Sequence, residues 1–339
     1  MTSLPRRQQE VLRATVRHYV DTVEPVGSRT LVQRFGLPAS PATVRSAMGA
    51  LEQRGLLTQP HTSAGRIPSQ RGYRLYVDEL LPPPGAAARQ LERELAGVGL
   101  QWAALDDLLL HLARRLADFT GLLSLITRPQ RPLPHLQAIR LVASSDRLLV
   151  FLVRGPALTT SLNLRLPGGS EDELPVLERW TNEQLRNRPD EGIDWDRLPA
   201  ELRCCGGLLR QALDSHRQSC GQETLGVVAA GLGGLLGQPE FSRTSSLLPL
   251  VQLVEQRPEH VLGPDQLFPP EGVALAGAVW IGSEHPHRAL GECAVVQAPY
   301  RTVDGACGHV ALVGPMRMAY ATARAAVQSV ASILQRILS

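Results

Sequence analysis

Apolar positions in the first eighty residues recur with helical period in four successive stretches, each closed by sharp punctuation. From Pro5 to Thr22, the residues Val11, Leu12, Thr15, Val16, Tyr19 and Val20 share one side of a helix. Glu24-Pro25-Val26-Gly27 breaks it, and Ser28 is placed to cap a second helix, Arg29 to Phe35, with Leu31, Val32 and Phe35 inward. Gly36-Leu37-Pro38-Ala39 is a tight connection, with glycine just past the helix end where a left-handed residue costs little. The third helix opens at Ser40-Pro41. A serine hydroxyl there accepts an orphan N–H of the first turn, and proline at the first helical position has no N–H to lose. Val44, Ala47, Met48 and Leu51 fall at i, i+3, i+4 and i+7 and face a core. Ala42, Thr43, Arg45, Ser46 and Gly49 are left outward.

Two short strands follow, Leu56–Gln59 and Arg66–Ile67, around the turn-rich segment Pro60–Gly65. Ser69 then caps a helix with Tyr73, Tyr76, Val77 and Leu80 on its inner face. Two helices joined by a short turn, then a hairpin and a closing helix, predict a winged helix-turn-helix over residues 1–81. Pro82-Pro83-Pro84-Gly85 reads as a stiff linker and domain boundary, with residues 82–100 linking to a connecting helix. On that helix Trp102, Leu105, Leu109, Leu112, Leu116, Phe119 and Leu123 step by threes and fours, the seam of a helix packed on one partner.

Beyond Leu136 the period shortens to that of strands: Leu136–Val142, Arg147–Val153 and Leu158–Leu164. Residues 171–217 return to helical character, 225–236 are glycine-rich and apolar, and 247–256 are helical. Strands resume at Val273–Ile281, Gly291–Gln297 and Gly308–Val313, before a closing helix marked by Val327, Val330, Leu334 and Ile337. The fold class expected is α+β and multidomain. One α+β domain, 101–170 with 265–339, is interrupted by an insertion at about 170–265.

Composition narrows the function. The 339 residues, 43% hydrophobic and 20% charged, suit a folded globular chain. All 35 basic residues are arginine, a bias that codon usage explains more simply than function does, although arginine grips phosphate and guanine better than lysine. The net charge of +3 is uneven: residues 1–80 hold eleven Arg against six Asp and Glu, a net of +5, and the remainder 24 against 26, a net of −2. A basic head on a nearly neutral body is the distribution of a DNA-binding protein. Five cysteines (204, 205, 220, 293 and 307) in odd number and with no C-x-x-C spacing point to reduced thiols. No apolar run is long enough to span a membrane and no signal-peptide core opens the chain, so a cytoplasmic protein with no membrane partner is expected.

Three patterns that resemble chemistry are set aside. Gly231-Leu232-Gly233-Gly234-Leu235-Leu236-Gly237 misses G-x-G-x-x-G by one residue and lacks a phosphate-binding lysine. Glu284-His285-Pro286-His287 has a proline where helical ligand spacing is needed. Neither a G-x-S-x-G elbow nor H-E-x-x-H occurs. No catalytic residue, no metal and no cofactor is expected; the chain is read as a non-enzyme.

Glu24-Pro25-Val26-Gly27-Ser28-Arg29, Ser40-Pro41-Ala42-Thr43-Val44-Arg45 and above all Gln59-Pro60-His61-Thr62-Ser63-Ala64-Gly65-Arg66-Ile67-Pro68 resemble the HrcA family of heat-inducible transcription repressors. The resemblance continues in Gly72-Tyr73-Arg74, Pro239-Glu240-Phe241, Ala298-Pro299-Tyr300 and Gly314-Pro315. Where the family usually reads Gly-Pro-Thr-Arg-Met-Asp-Tyr, this chain has Met316 and Ala319, and Gly234-Leu235-Leu236 stands for a usual Asn-Leu-Leu. The resemblance implies a homodimeric repressor of chaperone and chaperonin operons, binding double-stranded DNA at an inverted-repeat operator of the CIRCE type, with the chaperonin as modulator. It also implies a GAF-like domain over 101–170 and 265–339 and an inserted dimerisation domain over 170–265. A winged-helix regulator gated by a small-molecule effector in the GAF-like domain is the alternative.

Within the head, Arg45 is the leading base reader, since a guanidinium bridges guanine O6 and N7, with a solvent-facing arginine as the plain alternative. Thr43 and Ser46 are candidates for base or phosphate, and Ala42 for a thymine methyl. Ser28, Arg29 and Arg34 are candidates for the DNA backbone. In the wing, His61, Thr62, Ser63 and Arg66 offer donors for phosphate or the minor groove, with capping the plain role for Thr62 and Ser63.

Overall fold

Capping and apolar periodicity place the first elements where they are expected. The computed structural model describes residues 4–61, 64–96, 104–130, 136–144, 146–155, 158–166, 171–187, 192–223, 226–242, 244–262 and 277–339. Helix α1 (Arg6–Thr22) buries Val11, Leu12, Thr15 and Val16 and ends at Val23, held at φ 60°. That left-handed conformation is costly for a β-branched residue. Helix α2 (Ser28–Phe35) takes Gly27, not Ser28, as its N-cap, so Ser28 lies inside the first turn and is buried. Gly36 at φ 60° closes it in the left-handed form expected.

Helix α3 (Pro41–Gln53) starts on Ser40, whose hydroxyl accepts the Thr43 N–H at 3.2 Å. Its inner face, Val44, Ala47, Met48 and Leu51, packs with Leu12 and Leu31 in one core. Strands β1 (Leu57–Thr58) and β2 (Ile67–Pro68) form an antiparallel ribbon with Leu57 opposite Pro68. Helix α4 (Gln70–Leu75), capped by Ser69, runs on into a π-helical turn (Tyr76–Leu80), and together they bury Tyr73, Tyr76, Val77 and Leu80. Gly72 has to be glycine, because a Cβ there would stand 2.1 Å from the Leu56 carbonyl oxygen.

Past the prolines come α5 (Ala86–Ala96), α6 (Leu105–Thr120) and β3 (Leu123–Thr127). A separate unit follows, with β4 (Ala138–Ser144), β5 (Arg147–Gly155), β6 (Leu158–Arg165), α7 (Leu174–Asn187) and α8 (Arg203–Glu223). The chain then returns as β7 (Val227–Ala230), α9 (Leu232–Leu236), α10 (Thr244–Gln256), β8 (Ala278–Ile281), β9 (Cys293–Arg301), β10 (Cys307–Pro315) and α11 (Tyr320–Ile337).

Residues 1–130 and 226–339 make one compact unit, and 131–225 the other. In the first, an antiparallel sheet of order β7-β3-β10-β9-β8 is buried on both faces. Ile126, Val296, Val310 and Leu312 pack with α6 and α11 in the cluster that also holds the head core. Leu123, Leu125, Val295 and Val313 pack with α9 and α10 on the other side. Pro82–Gly85 therefore lies inside one unit: Leu91 and Leu95 of α5 are buried in the shared cluster. Side chains fasten head to body. Arg74 bonds both carboxylate oxygens of Glu284 and the Val279 carbonyl, and Glu284 holds its guanidinium firmly charged. Arg317 bonds Glu240 and Gln238 and reaches the Val20 carbonyl. Glu284, set aside as a metal ligand, thus has a structural partner.

In the second unit β4, β5 and β6 lie in that order, with Ile139, Leu148, Val150 and Leu152 fully buried against α7 and α8. The free edge of β4 is occupied by α7: Asn182 bonds both the N–H and the carbonyl of Ile139, and Glu178 accepts the Leu141 N–H. The other sheet face leaves Val142 exposed and Leu149, Phe151 and Val153 half-buried.

The differences from the sequence reading have local causes. The seam of α6 stops at Thr120, because Gly121 at φ 66° turns the chain, and Leu123 enters β3, not the helix. The glycine-rich segment hides β7. The three strands at 138–165 belong with the α7–α8 unit, so that unit spans 131–225 where 170–265 was expected; the described part of 226–265 packs with the first unit. Ala319 stands at the N-cap of α11 without a capping side chain, where the family's usual aspartate is a good cap. Trp102 and the start of the strand expected from Val273 lie outside the described residues.

Candidate nucleic-acid interface

The first turn of α3 is held by its own cap and stays open outward. Thr43 is half-buried with its hydroxyl 2.9 Å from Ser40 Oγ, so it completes the cap as well as lining the surface. Ala42, Arg45 and Ser46 are exposed, and Arg45 has no ion pair among the described residues. A slim first turn with one unengaged guanidinium can enter a groove without first giving up internal bonds.

The remaining candidates divide. Arg29 is exposed at the start of α2 with no ion pair among the described residues, whereas Ser28 beside it is 6% exposed and withdrawn from solvent. Arg34 is bonded to Asp21 at 2.7 Å and donates to His18 Nδ1 at 3.2 Å. A guanidinium has no acceptor, so His18 Nδ1 must be the unprotonated nitrogen. Burial, then the nearby Arg34 charge, lowers the His18 pKa from 6.5. Arg34 and Arg17 both lie over the Phe35 ring, at 5.6 and 5.5 Å from its centroid. His61 is exposed at the ribbon turn; Thr62 and Ser63 lie outside the described residues. Arg66 is half-buried with its guanidinium on Glu52 of α3, at 3.1 Å from Nε and 2.9 Å from Nη2.

Four residues escaped the sequence reading. Glu52 is the partner of Arg66, and an acid in the last turn of a helix, against the macrodipole, was the available signal. Arg54 and Arg71 are exposed with no ion pair among the described residues, and they line a cleft of about 660 Å³ with Leu4, Leu56, Arg74 and Glu284. Arg17 reaches Phe35 from another helix, a pairing no local pattern shows. Among the described residues no group of His, Cys, Asp and Glu could hold a metal ion, and no helix is long and apolar enough to cross a membrane.

Comparison with known proteins adds four findings. The family model described as the HrcA protein C terminal domain matches residues 106–323. A heat-inducible transcription repressor HrcA from Synechococcus sp. (strain RCC307) is 64% identical over 339 residues and covers 100% of both chains. That of Prochlorococcus marinus (strain MIT 9313) is 60% identical over 338 residues, covering 100% of this chain and 94% of the relative. A hypothetical protein of known crystal structure has a similar fold, with a TM-score of 0.59 at 22% identity over 99% of each chain.

Proposed function

Because the chain belongs to the HrcA family of heat-inducible transcription repressors, we propose that it silences chaperone and chaperonin operons by docking α3 in the major groove of an inverted-repeat, CIRCE-type operator. It is a transcription repressor and not an enzyme. The observation that carries the docking is the outward first turn of α3, capped, slim and bearing the unengaged Arg45. In this reading residues 1–81 are a winged helix-turn-helix in which Ala42, Thr43, Arg45 and Ser46 read bases. Arg29 and the ribbon turn at His61 hold the backbone. Phosphate neutralisation by the arginine-rich head supplies most of the affinity and makes it fall steeply with salt.

An inverted repeat calls for two heads related by a twofold axis, so the repressor acts as a homodimer. The five-stranded sheet with its helices is the GAF-like body. The unit 131–225 is assigned to dimerisation, in place of 170–265, because the sheet face away from α7 and α8 leaves Val142 exposed and Leu149, Phe151 and Val153 half-buried among the described residues. The chaperonin, as in the family resemblance, sustains repression in the cytoplasm until heat stress draws it away. Footprinting upstream of chaperonin operons, with and without chaperonin, tests the reading. Two protected half-sites about 10 base pairs apart or a multiple of that, strengthened by chaperonin, are expected; protection no better than on random duplex would refute it.

A further inference from the structure

The geometry points to Arg66 as a positioning residue: paired with Glu52, it sets the wing against the recognition helix and does not itself grip DNA. The inference rests on the reading of α3 and the ribbon as the two DNA-contacting elements.

Two attachments meet at this one residue, and its neighbour adds a third constraint. Its backbone forms an antiparallel bridge with Val26 in the loop between α1 and α2, N–H to carbonyl at 2.9 and 3.0 Å. Its side chain bonds Glu52 through two nitrogens, in the last turn of α3. The next residue toward the turn, Gly65, lies so close to the loop that a Cβ would stand 2.5 Å from the Val26 backbone. Beyond this anchor the two sides of the ribbon are tied to each other: Gln59 donates to the Ala64 carbonyl at 2.9 Å, and Ala64 N–H to that of His61 at 2.9 Å. Val26 belongs to the Glu24–Arg29 segment, which now has a role as the seat of the ribbon.

The charges favour this role over a phosphate contact. Glu52 sits at the negative end of the α3 dipole, where a carboxylate is disfavoured, and α3 has no basic residue in its own last turn to offset it. The two side chains are 26% and 33% exposed, so the pair is less screened than one in open solvent. For Arg66 to reach a phosphate it would have to abandon a half-buried carboxylate and leave that group unpaired.

The test compares wild type, R66A, R66K, E52Q, the R66A/E52Q double variant and the E52R/R66E charge swap, with thermal melts to establish that each is folded. Binding to the inverted repeat is measured over a salt series, with hydroxyl-radical footprints. R66A, R66K and E52Q should each weaken operator binding about tenfold, with the double variant no worse than either single. The salt slope should stay at the wild-type value, the charge swap should recover most of the affinity, and protection beside the α3 footprint should fade while that under α3 persists. R66K distinguishes the roles, since lysine retains a point charge for phosphate but not the two-nitrogen grip on Glu52. A slope smaller by about 0.9 in R66A, wild-type affinity in R66K, or tighter binding by E52Q would overturn the inference. Absence of wild-type protection on any inverted repeat would instead refute the proposed function.

Discussion

Arg45 on α3 and Arg66 at the base of the ribbon are both arginines on elements that meet DNA in the proposed function, and the fold treats them oppositely. Arg45 projects from a capped first turn with no ion pair among the described residues. Arg66 is half-buried, doubly bonded to Glu52, and fixed through its backbone to Val26. Their sequence contexts are equally suggestive, so residue type and element do not separate a reader from a brace. The internal bonds a guanidinium must surrender before it meets a ligand do separate them.

The contrast can be broken from either side. The largest effect is expected on the α3 side, where Leu51 is fully buried on the inner face of the helix. Leu51→Ala should cost about 2–5 kcal/mol of stability and should release Arg45 and Arg66 together, because Glu52 is its neighbour. Urea unfolding measures it, and a loss well under about 1 kcal/mol would mean that α3 is not seated on that core. On the ribbon side, Gly65→Ala forces a Cβ against the Val26 backbone and should cost about 1–3 kcal/mol. Operator affinity should fall with it while Ser40–Ser46 stays folded, a separation that amide exchange of the α3 first turn can follow.

The smallest effect concerns Arg34, a third arginine intermediate between the two. Its donor bond requires His18 Nδ1 to be unprotonated, and the His18 pKa is lowered from 6.5 by burial and then by Arg34. A lowered folded pKa means that the unfolded chain binds the proton more readily, so this contribution is present above about 6.5 and lost as pH falls through the lowered value. Melting temperature should therefore decline modestly on acidification. His285 and His287 are lowered in the same direction, so the His18 share is read as the difference between wild type and His18→Gln. A variant that declines as steeply as wild type would contradict the account of Arg34.

Legibility in the sequence followed the range of the interaction. Ser40, Pro41, Gly36 and Ser69 act on backbone groups within four residues, and each stands where its chemistry predicts. Ser28 does not, because the helix begins one residue earlier, with Gly27 at the N-cap position and no capping side chain. The apolar stripe of α3 was readable because 3.6-residue periodicity is local. Strand β3 was not, since Leu123 continues the spacing of α6 and only the turn at Gly121 separates them. Strand β7 sits in a glycine-rich run whose pairing partner is a hundred residues away. The head–body fastening by Arg74 and Glu284 joins residues 210 apart, and no periodicity can announce it. Of the site itself, the outward facing of Ala42, Arg45 and Ser46 was legible, whereas the burial of Ser28 was not. Which candidates are already engaged was not legible either, because the partners Glu52, Asp21 and Phe35 come from other segments or from the opposite side of a turn.

The central claim is that α3 reads bases through Arg45. Its most direct test is the affinity of Arg45→Ala relative to wild type, on the inverted repeat and on a random duplex of equal length at one salt concentration. A base-reading arginine predicts a loss of about 1–3 kcal/mol on the operator beyond any loss on the random duplex, with one base position relaxed. Equal losses on both duplexes would contradict it and reduce Arg45 to one more charge on a basic head.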